Sequence, residues 1–524
     1  MSSHTWIPTP TRQERGASAA VRYGAPAFVF LAALVLYWRT LLPGQAFDDW
    51  GEMQVVPHIF GIPHPTGYPT YILLAWLFEL LPLGSIAFRA NLFAAVCVAV
   101  ALAAITRSQL RLNVRPVIAI GASLATGAIG TIWLAAVVAE VNALHLAFIA
   151  LILDRSLAWT ETRRFRDLGI GAVLIGLSMG NHVLTAFVVP FVALFVLWAG
   201  RDELSMHPRW VLAAAGLVIA GASVYTYLPI AASLGPALPY NSPTTPEAFI
   251  FLVTGRQFAG QYGGLFTPEG PAKWLASLPD LVGLAVTRAT VILPPLTAIG
   301  ALVLLLRRPA FGLAVLGTVL LCTYIWANYL RLEHYLLVGW LLAGLLAGVG
   351  LDGLANAVGI VGRGRARVER VGSLAGAAAA VAMAAVLVVA NFGASDQSQD
   401  HTAQVYVDKV FNILPQDAVI FSFWGPSPPL WYAQQVDHRR PDVTVVDDTN
   451  IVYEGWGTRE ARVAAFGCTR PMYAIFVSDH DAASMRGAGN RLTQVDTVVV
   501  GALGWSGRFT LPLWQIQPQA CTTG

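Results

Sequence analysis

The chain has 524 residues, of which 56% are hydrophobic and only 12% are charged. A soluble globular protein carries about 25% charged residues, so this composition and the mean hydropathy of +0.60 predict that most of the chain lies in a bilayer. The formal net charge of +3 is too small to indicate a nucleic-acid partner. The sequence also lacks a P-loop, an HExxH motif and a CxxC motif with zinc-site spacing.

Apolar stretches of membrane-spanning length recur along the chain. A spanning helix needs about 20 mostly apolar residues, and eleven stretches predict spans that begin near residues 25, 86, 117, 138, 167, 184, 210, 282, 309, 335 and 373. The first is predicted to be an uncleaved anchor, because it is long for a signal peptide and no small-residue cleavage site follows closely. Pro69–Leu81 is shorter and bracketed by prolines, which predicts a juxtamembrane or re-entrant helix.

Arginine-rich segments alternate with poorly charged ones, which predicts the orientation. With eleven spans and the N-terminus inside, the segments on the cytoplasmic side are 12–22, 107–115, 155–166, 201–209, 307–308 and 363–370. Counting Pro69–Leu81 as a span would put the second of these outside. We therefore predict a multi-pass protein of the cell (plasma) membrane, in contact with membrane lipids, with a cytoplasmic N-terminus (1–24) and a membrane domain (25–392).

The remaining segment, 393–524, predicts a small extracytoplasmic α/β domain. Short β-rich runs lie at 419–423, 443–446, 473–477 and 497–500, with a helix at 429–436. Cys97 and Cys322 fall in apolar runs and are predicted to be core thiols. Cys468 and Cys521 could form a disulfide if this domain faces an oxidising compartment.

The first outer loop, 44–85, carries a dense acidic run after the first span. On one helical turn Asp49 and Glu52 would share a face, with Asp48 beside them. Such a pair suits a general base with an electrostatic partner or a metal ligand, and the alternative is a solvated acidic loop. The run 61–69 holds three prolines and two glycines, which fix the chain path around His64.

Four further polar clusters lie at predicted outer helix ends or outer loops. Polar groups at membrane depth are costly and need a reason. Each cluster has a simpler alternative, namely a surface turn, a hydrogen-bonded helix end, a snorkelling arginine or a salt-bridged turn. Arg256, in the long outer loop 232–281, could instead bind a lipid phosphate through its guanidinium fork. The clusters are Glu140 with Asn142 and His145, Asn181 with His182, Tyr227 with Arg256 and Gln257, and Arg331 with Glu333, His334 and Tyr335.

These residues carry a family resemblance. The sequence resembles bacterial members of a GT-C membrane glycosyltransferase family, whose animal relative is a transmembrane O-mannosyltransferase of plexin-type domains. The matching runs cover nearly the whole chain: 49–52 (DWGE), 61–69 (GIPHPTGYP), 139–144 (AEVNAL), 176–182 (GLSMGNH), 227–230 (YLPI), 254–257 (TGRQ), 333–335 (EHY), 430–432 (LWY) and 440–446 (RPDVTVV). Trp50 stands where the family usually has a small residue, and Thr66 replaces a second proline.

The resemblance implies a GT-C fold, that is, a polytopic α-helical membrane protein with a catalytic acidic residue and juxtamembrane helices in its first outer loop. The implied reaction moves a sugar, mannose before others, from a polyprenyl-phosphate donor to a hydroxyl of a protein or envelope-glycan acceptor, with inversion. Asp49 would act as the base, assisted by Glu52. No metal site is assigned, and a divalent cation stays open. Residues predicted to bind substrate are Asp48, His64, Tyr68, Glu140, Asn142, Asn181, His182, Tyr227, Arg256, Gln257, Arg331, Glu333, His334 and Tyr335.

A transporter or flippase of a lipid-linked or envelope precursor is the main alternative, and a structural scaffold of an envelope complex is a third hypothesis. A transporter would show broken helices, ionisable residues at mid-membrane and internally related halves. The predicted spans are largely free of charge at mid-depth, and the polar clusters share one predicted side of the membrane. Both features favour glycosyl transfer.

Overall fold

The computed structural model describes residues 19–361, 366–447, 457–476, 478–501 and 508–519. Short 3-10 turns lie at Ser223–Thr226, Arg256–Phe258, Gly263–Phe266 and Glu333–Leu336. The helices up to residue 395 are α1 (Ala19–Arg39), α2 (Asp48–Ile59), α3 (Pro69–Glu79), α4 (Ile86–Arg111), α5 (Pro116–Gly127), α6 (Gly130–Val137), α7 (Val141–Thr162), α8 (Phe165–Met179), α9 (Thr185–Met206), α10 (Pro208–Ala222), α11 (Tyr227–Leu234), α12 (Pro246–Val253), α13 (Ala259–Tyr262), α14 (Gly270–Ala276), α15 (Leu278–Ala289), α16 (Leu293–Arg307), α17 (Pro309–Asn328), α18 (Leu337–Val361) and α19 (Ala366–Ser395).

Among the described residues, eight helices are long and apolar enough to cross a membrane, or up to ten spans if each of two bent pairs counts as one. The bent pairs are α5 with α6, at 70°, and α15 with α16, at 106°. They coincide with the spans predicted to begin near 117 and 282. The span predicted near 167 is α8, whose 15 residues reach only about 22 Å. The predicted polytopic architecture is confirmed. The count by length is lower than eleven because α8 is short, but α8 runs antiparallel along α7. Asp167 near its start pairs with Arg155, and Asn181 just after its end donates to the carbonyl of Val141, so α8 returns the chain to the side where α7 begins.

The acidic run after α1 is the first turn of a helix and not a loop. α2 begins at Asp48 and ends before Phe60, whose left-handed backbone (φ 49°) turns the chain. The short helix predicted at 69–81 is α3, which starts with Pro69 at its first position, where a missing N–H costs nothing. Its 11 residues are too few to cross a bilayer.

The core of the membrane part forms where α4 packs between α1 and α7. Tyr37 and Trp133 are fully buried there. The Tyr37 hydroxyl donates to the carbonyl of Gly127 at 2.9 Å, and the Trp133 indole donates to the Thr40 hydroxyl at 2.9 Å. The polar atoms of both rings are therefore satisfied within the apolar core.

A second buried feature is an ion-pair network between the C-terminal halves of α4 and α7. Asp154 is 1% exposed, and its carboxylate accepts from Arg111 at 2.8 Å and from Arg155 at 2.5 Å. Arg107 lies 3.5 Å away. The carboxylate is buried only because guanidinium groups surround it.

After residue 395 the chain forms a mixed sheet with helices packed against it. The elements are α20 (Thr402–Ile413), β1 (Val419–Phe421), α21 (Ser427–Gln435), β2 (Thr444–Val446), α22 (Arg459–Phe466), β3 (Met472–Ile475), α23 (Asp479–Gly487), β4 (Asn490–Gly501) and β5 (Arg508–Pro518). The described strands lie in the order β2-β1-β3-β5-β4. β1 is parallel to β2 and β3, and β5 is antiparallel to β3 and β4.

The predicted strands and the helix at 429–436 are present in this sheet domain, but β5 was not predicted. Pro512 argues against a strand, because proline cannot donate to a ladder. It is tolerated because β3 pairs with β5 only from Leu513 onward, so that Pro512 has a strand on one side, at Thr497. Cys468 is disulfide-bonded, and its predicted partner Cys521 lies outside the described residues. Cys97 and Cys322 are buried free thiols, as predicted.

Candidate active site

A cavity of about 570 Å³ opens beside the start of α2. All five clusters singled out in the sequence contribute to its wall, although their lining residues are spread along the chain from Asp48 to Tyr335. The predicted residues that line it are Asp48, Asp49, His64, Tyr68, Glu140, Asn142, His182, Gln257, His334 and Tyr335. The structure therefore brings together most of the polar side chains that the sequence places at outer helix ends.

At the centre of the wall, one imidazole lies between two carboxylates. His64 Nε2 is 3.8 Å from Asp49 Oδ2 and 3.0 Å from the Tyr68 hydroxyl. On the other edge of the ring, Nδ1 contacts Glu52, whose second oxygen accepts the backbone N–H of His64 at 2.9 Å. The Glu52 side chain is 3% exposed, whereas that of Asp49 is 47% exposed. Asp49 is thus the carboxylate that a substrate can reach, and Glu52 holds the imidazole from behind.

The two carboxylates keep His64 protonated at neutral pH. Burial by itself lowers the pKa of His64, but the nearby charges of Asp49 and Glu52 outweigh it and raise the pKa to about 10. An imidazolium therefore stands at the cavity wall beside Asp49.

Glu140 forms another side of the cavity, and its contact with Trp50 accounts for the large side chain at position 50. Its Oε2 accepts from the Trp50 indole at 3.0 Å, and its Oε1 accepts from the backbone and side-chain amides of Asn142, at 3.3 and 3.0 Å. Burial, reinforced by the charge of Asp49, raises the pKa of Glu140 to about 7. The large residue in the Asp49–Glu52 run thus reaches across the cavity wall and holds a second carboxylate.

Asn91, on α4, holds these segments in register. Its Nδ2 donates to the carbonyl of Leu42 at 2.8 Å, and its Oδ1 accepts from Gln54 on α2 at 2.9 Å and from the backbone of Ala139 at 2.8 Å. One fully buried side chain therefore fixes both α2 and the turn that carries Glu140. Sequence reasoning missed it, because an asparagine in an apolar helix gave no motif.

His182 presents a neutral N–H to the cavity. Its Nδ1 accepts the backbone N–H of Leu184 at 3.2 Å, so the ring proton lies on Nε2. Burial, together with the neighbouring His145, lowers the pKa of His182 well below its usual range. The His145 ring stacks on it at 4.9 Å, and Asn181 lies beneath, donating to the carbonyl of Val141 at 3.1 Å.

Six predicted residues do not line the cavity: Glu52 and Asn181, which lie behind the wall, and the four described next. The Tyr227 hydroxyl donates to the carbonyl of Gly61 at 2.8 Å and so supports the proline-rich run. Glu333 forms a bidentate ion pair with Arg288, at 2.8 and 3.0 Å. Arg331 pairs with Asp280 at 2.8 Å, and Arg256 is exposed. Glu333 and Arg331 therefore form salt bridges, which is the simpler alternative for that turn.

One run matches a serine-hydrolase motif, and its geometry excludes that function. Residues 176–180 (GLSMG) match the GxSxG pattern of serine hydrolases. Ser178 is nevertheless fully buried at the end of α8, and its hydroxyl is paired with that of Thr185 at 2.7 Å. It is not exposed on a strand-to-helix turn, as a nucleophile would be.

Sequence reasoning missed Trp424, which comes from the C-terminal sheet domain. Its indole donates to Asp49 Oδ1 at 2.6 Å, and its ring stands beside Tyr240 of the long loop at 6.2 Å. Apolar side chains complete another part of the wall: Phe187, Leu265, Phe266, Ile325, Leu330 and Leu332. The cavity therefore combines a polar end at Asp49 with an apolar stretch.

Asp49, Glu52 and His64 could hold a divalent cation, because one ligand atom of each lies within 4.8 Å of the others. Both nitrogens of His64 already have partners, however, since Nδ1 contacts Glu52 and Nε2 contacts Tyr68. A cation would have to displace one of these contacts. Without such a displacement, His64 is hydrogen-bonded to Glu52 and Tyr68 and lies beside Asp49.

Comparison of the sequence with known proteins shows which family the chain resembles. Residues 49–205 match the Protein O-mannosyl-transferase TMEM260 N-terminal domain. The chain is 27% identical over 475 residues to Protein O-mannosyl-transferase TMEM260 of Mus musculus, covering 85% of this chain and 65% of that protein. It is 26% identical over 195 residues to Protein O-mannosyl-transferase tmem260 of Dictyostelium discoideum, covering 34% of this chain and 24% of that protein. The chain thus spans less than two thirds of either relative.

Comparison with solved structures identifies the fold of the chain. ArnT from Cupriavidus metallidurans in the apo state superposes with a TM-score of 0.59 at 14% identity, covering 96% of this chain and 99% of ArnT. ArnT bound to undecaprenyl phosphate gives a TM-score of 0.57 at 13% identity, covering 94% of this chain and 98% of ArnT. The chain is therefore a polytopic membrane protein with the GT-C fold of ArnT, and it is related in sequence to the TMEM260 O-mannosyltransferases.

Proposed function

We propose that the protein is a membrane glycosyltransferase that moves a sugar, mannose before others, from a polyprenyl-phosphate donor to a hydroxyl of a protein or envelope glycan. The single observation that carries this proposal is the cavity in which Asp49 is exposed beside buried, hydrogen-bonded His64 and Glu52. The sequence relationship to TMEM260 favours mannose and a protein acceptor. The shared fold with ArnT, solved with undecaprenyl phosphate, favours a lipid-linked donor.

The reaction is a single displacement at the anomeric carbon. The acceptor oxygen attacks this carbon while Asp49 takes the hydroxyl proton through its exposed carboxylate. The new bond joins the acceptor oxygen to the sugar, and the bond between the sugar and the phosphate oxygen breaks. Polyprenyl phosphate leaves with the bonding electrons, and the sugar configuration inverts.

Glu52 and His64 support this base. Glu52 fixes the imidazole through two contacts, to Nδ1 and to the backbone N–H. The imidazolium of His64 lies 3.8 Å from Asp49 and places a positive charge beside the carboxylate that accepts the proton. Because Glu52 is buried and already occupied, it assists Asp49 without touching substrate.

Histidines provide the donor groups for the leaving phosphate. The lining that the structure describes contains no lysine or arginine, and it includes His182 and His334. His182 has its Nε2 proton available toward the cavity, because Nδ1 is an acceptor for Leu184. We assign phosphate recognition to these two side chains and not to Arg256 or Arg331, and the apolar stretch of the wall to the start of the lipid tail.

The orientation follows from the arginine-rich loops. The N-terminal segment lies in the cytoplasm of a cell whose plasma membrane holds residues 25–392, and the sheet domain, 393–524, lies on the outer face with the cavity. The donor's sugar and phosphate then sit at the outer interface, with the lipid tail in the bilayer.

The experiment that tests this function follows labelled sugar. The purified protein in nanodiscs receives synthetic polyprenyl-phosphate mannose with an isotopic label, and the envelope fraction of a strain lacking the protein serves as the acceptor mixture. Transfer of label to protein or glycan, identified by mass spectrometry, supports the proposal. Donor that crosses proteoliposome membranes without sugar transfer would instead identify a flippase. Equivalent donors with glucose, galactose or arabinose define the sugar.

A further inference from the structure

The C-terminal sheet domain docks on the turn that carries Asp49. The backbone N–H of Asp48 donates to the carbonyl of Gly425 at 3.0 Å, and the Phe47 ring packs on Tyr406 at 5.3 Å. A Cβ added at Gly51 would overlap the carbonyl oxygen of Ala46 and stand 2.8 Å from the Cβ of Pro428. The glycine is therefore required by the turn before α2, and the sheet domain packs closely against the same position as part of the cavity wall.

Trp424 extends from this interface to the carboxylate of Asp49. It lies in the connection between β1 and α21, and that connection is anchored by Ser427, whose hydroxyl donates to buried Asp447 at 2.6 Å. The Trp424 indole donates to Asp49 Oδ1 at 2.6 Å, and its ring meets His64 edge-on at 5.5 Å. Both ends of the contact are thus held by packed elements.

This hydrogen bond determines which oxygen of Asp49 is free. The side chain is 47% exposed, so the protein around it leaves its rotation weakly restricted. With Oδ1 occupied by the indole, Oδ2 is the oxygen that points toward His64, at 3.8 Å. A general base must present one oxygen within hydrogen-bond reach of the acceptor hydroxyl, and small misplacements are costly.

We propose that Trp424 is a positioning residue of the C-terminal domain, which orients the Asp49 carboxylate for proton abstraction. The inference rests on the proposed function, because it assigns Trp424 a role in that reaction. It makes the C-terminal domain a part of the catalytic centre and not an appended binding module.

The test compares two tryptophan variants in the labelled-mannose assay. W424F keeps an aromatic side chain but removes the indole donor together with one ring of the indole, and W431F loses the same ring volume. W431F is the matched control, since Trp431 packs against Trp424 at 6.0 Å in the same domain but does not line the cavity. W424F should lower kcat by roughly 10- to 100-fold with little change in KM, and W431F should retain wild-type kcat. Equal thermal unfolding temperatures of the two variants show that both fold.

A double variant separates positioning from a general structural effect. If Trp424 acts through Asp49, then D49N/W424F transfers no more slowly than D49N alone. Full activity in W424F, or a raised KM at unchanged kcat, would overturn the proposed role of Trp424. An additional loss in the double variant would overturn it as well. Absence of transfer by the wild-type protein would instead refute the proposed function itself.

Discussion

Replacing Glu52 with glutamine should uncouple His64 from its buried partner. A rise in the pKa of His64 from 6.5 to about 10 corresponds to about 5 kcal/mol of stabilisation of the imidazolium, at roughly 1.4 kcal/mol per tenfold change. Asp49 and Glu52 share this effect, and burial raises the pKa of Glu52 itself, which offsets part of the gain. E52Q should therefore remove only a part of it, on the order of 2 kcal/mol. The pKa of His64 then falls toward its ordinary value.

The sign of the pH dependence follows from the raised pKa. A raised pKa stabilises the folded protein fully below pH 6.5, and this contribution is lost as the pH rises toward about 10. In E52Q the loss is complete at lower pH. The variant should therefore unfold several degrees below wild type at pH 7.5, and its transfer rate should decline between about pH 7 and 9, where wild type stays active.

The assay is intrinsic-fluorescence unfolding and labelled-mannose transfer, each measured across this pH range. E79Q is the matched control, because Glu79 is another buried carboxylate beside a histidine, 3.3 Å from His58, and does not line the cavity. E79Q should keep the wild-type pH dependence of transfer. An E52Q protein whose unfolding temperature and pH profile match wild type would refute the assignment of Glu52.

Three further outcomes follow. Glu140 has a pKa raised to about 7, so its contribution to stability is present below pH 4.5 and is lost as the pH rises through 7; E140Q should flatten the fall of unfolding temperature between about pH 5 and 8, and an unchanged slope would contradict this. D154N removes a buried carboxylate that partly buried arginines share, but Arg111 and Arg155 keep Glu161 and Asp167 as partners, so it should cost about 1 to 3 kcal/mol, lowering the unfolding temperature while the folded fraction keeps its turnover. EDTA should leave transfer intact, because both nitrogens of His64 have protein partners; a loss that Mn²⁺ or Mg²⁺ restores would assign Asp49, Glu52 and His64 to a cation.

Much of the site could be predicted because its residues are charged or polar, whereas the surrounding sequence is apolar. Asp49 and Glu52 stand three residues apart, and the structure places both on α2, where both carboxylates lie beside His64. The prolines around His64 predicted a fixed path, and the backbone N–H of His64 is indeed bound by Glu52. Charge at a predicted membrane boundary is a strong local signal, since it is costly without a partner.

What could not be predicted depends on partners that are distant in sequence. Trp50 could be located as a departure from the family pattern, but its acceptor Glu140 lies 90 residues away. Glu333 resembled a substrate ligand, whereas its partner Arg288, on the end of α15, makes it structural. Trp424 carries no charge and belongs to no motif, so nothing in its surroundings indicated that its indole would reach Asp49 from 375 residues away.

The most direct measurement compares D49N with D48N in nanodiscs that contain labelled polyprenyl-phosphate mannose. Both aspartates line the cavity, and Asp49 accepts the Trp424 indole N–H and lies 3.8 Å from His64. With Asp49 as the base, D49N should bind donor like wild type and lose transfer by at least about 100-fold, and D48N should retain most of it. Transfer by D49N at a rate near wild type, with donor bound, would contradict the assignment of Asp49 as the catalytic base.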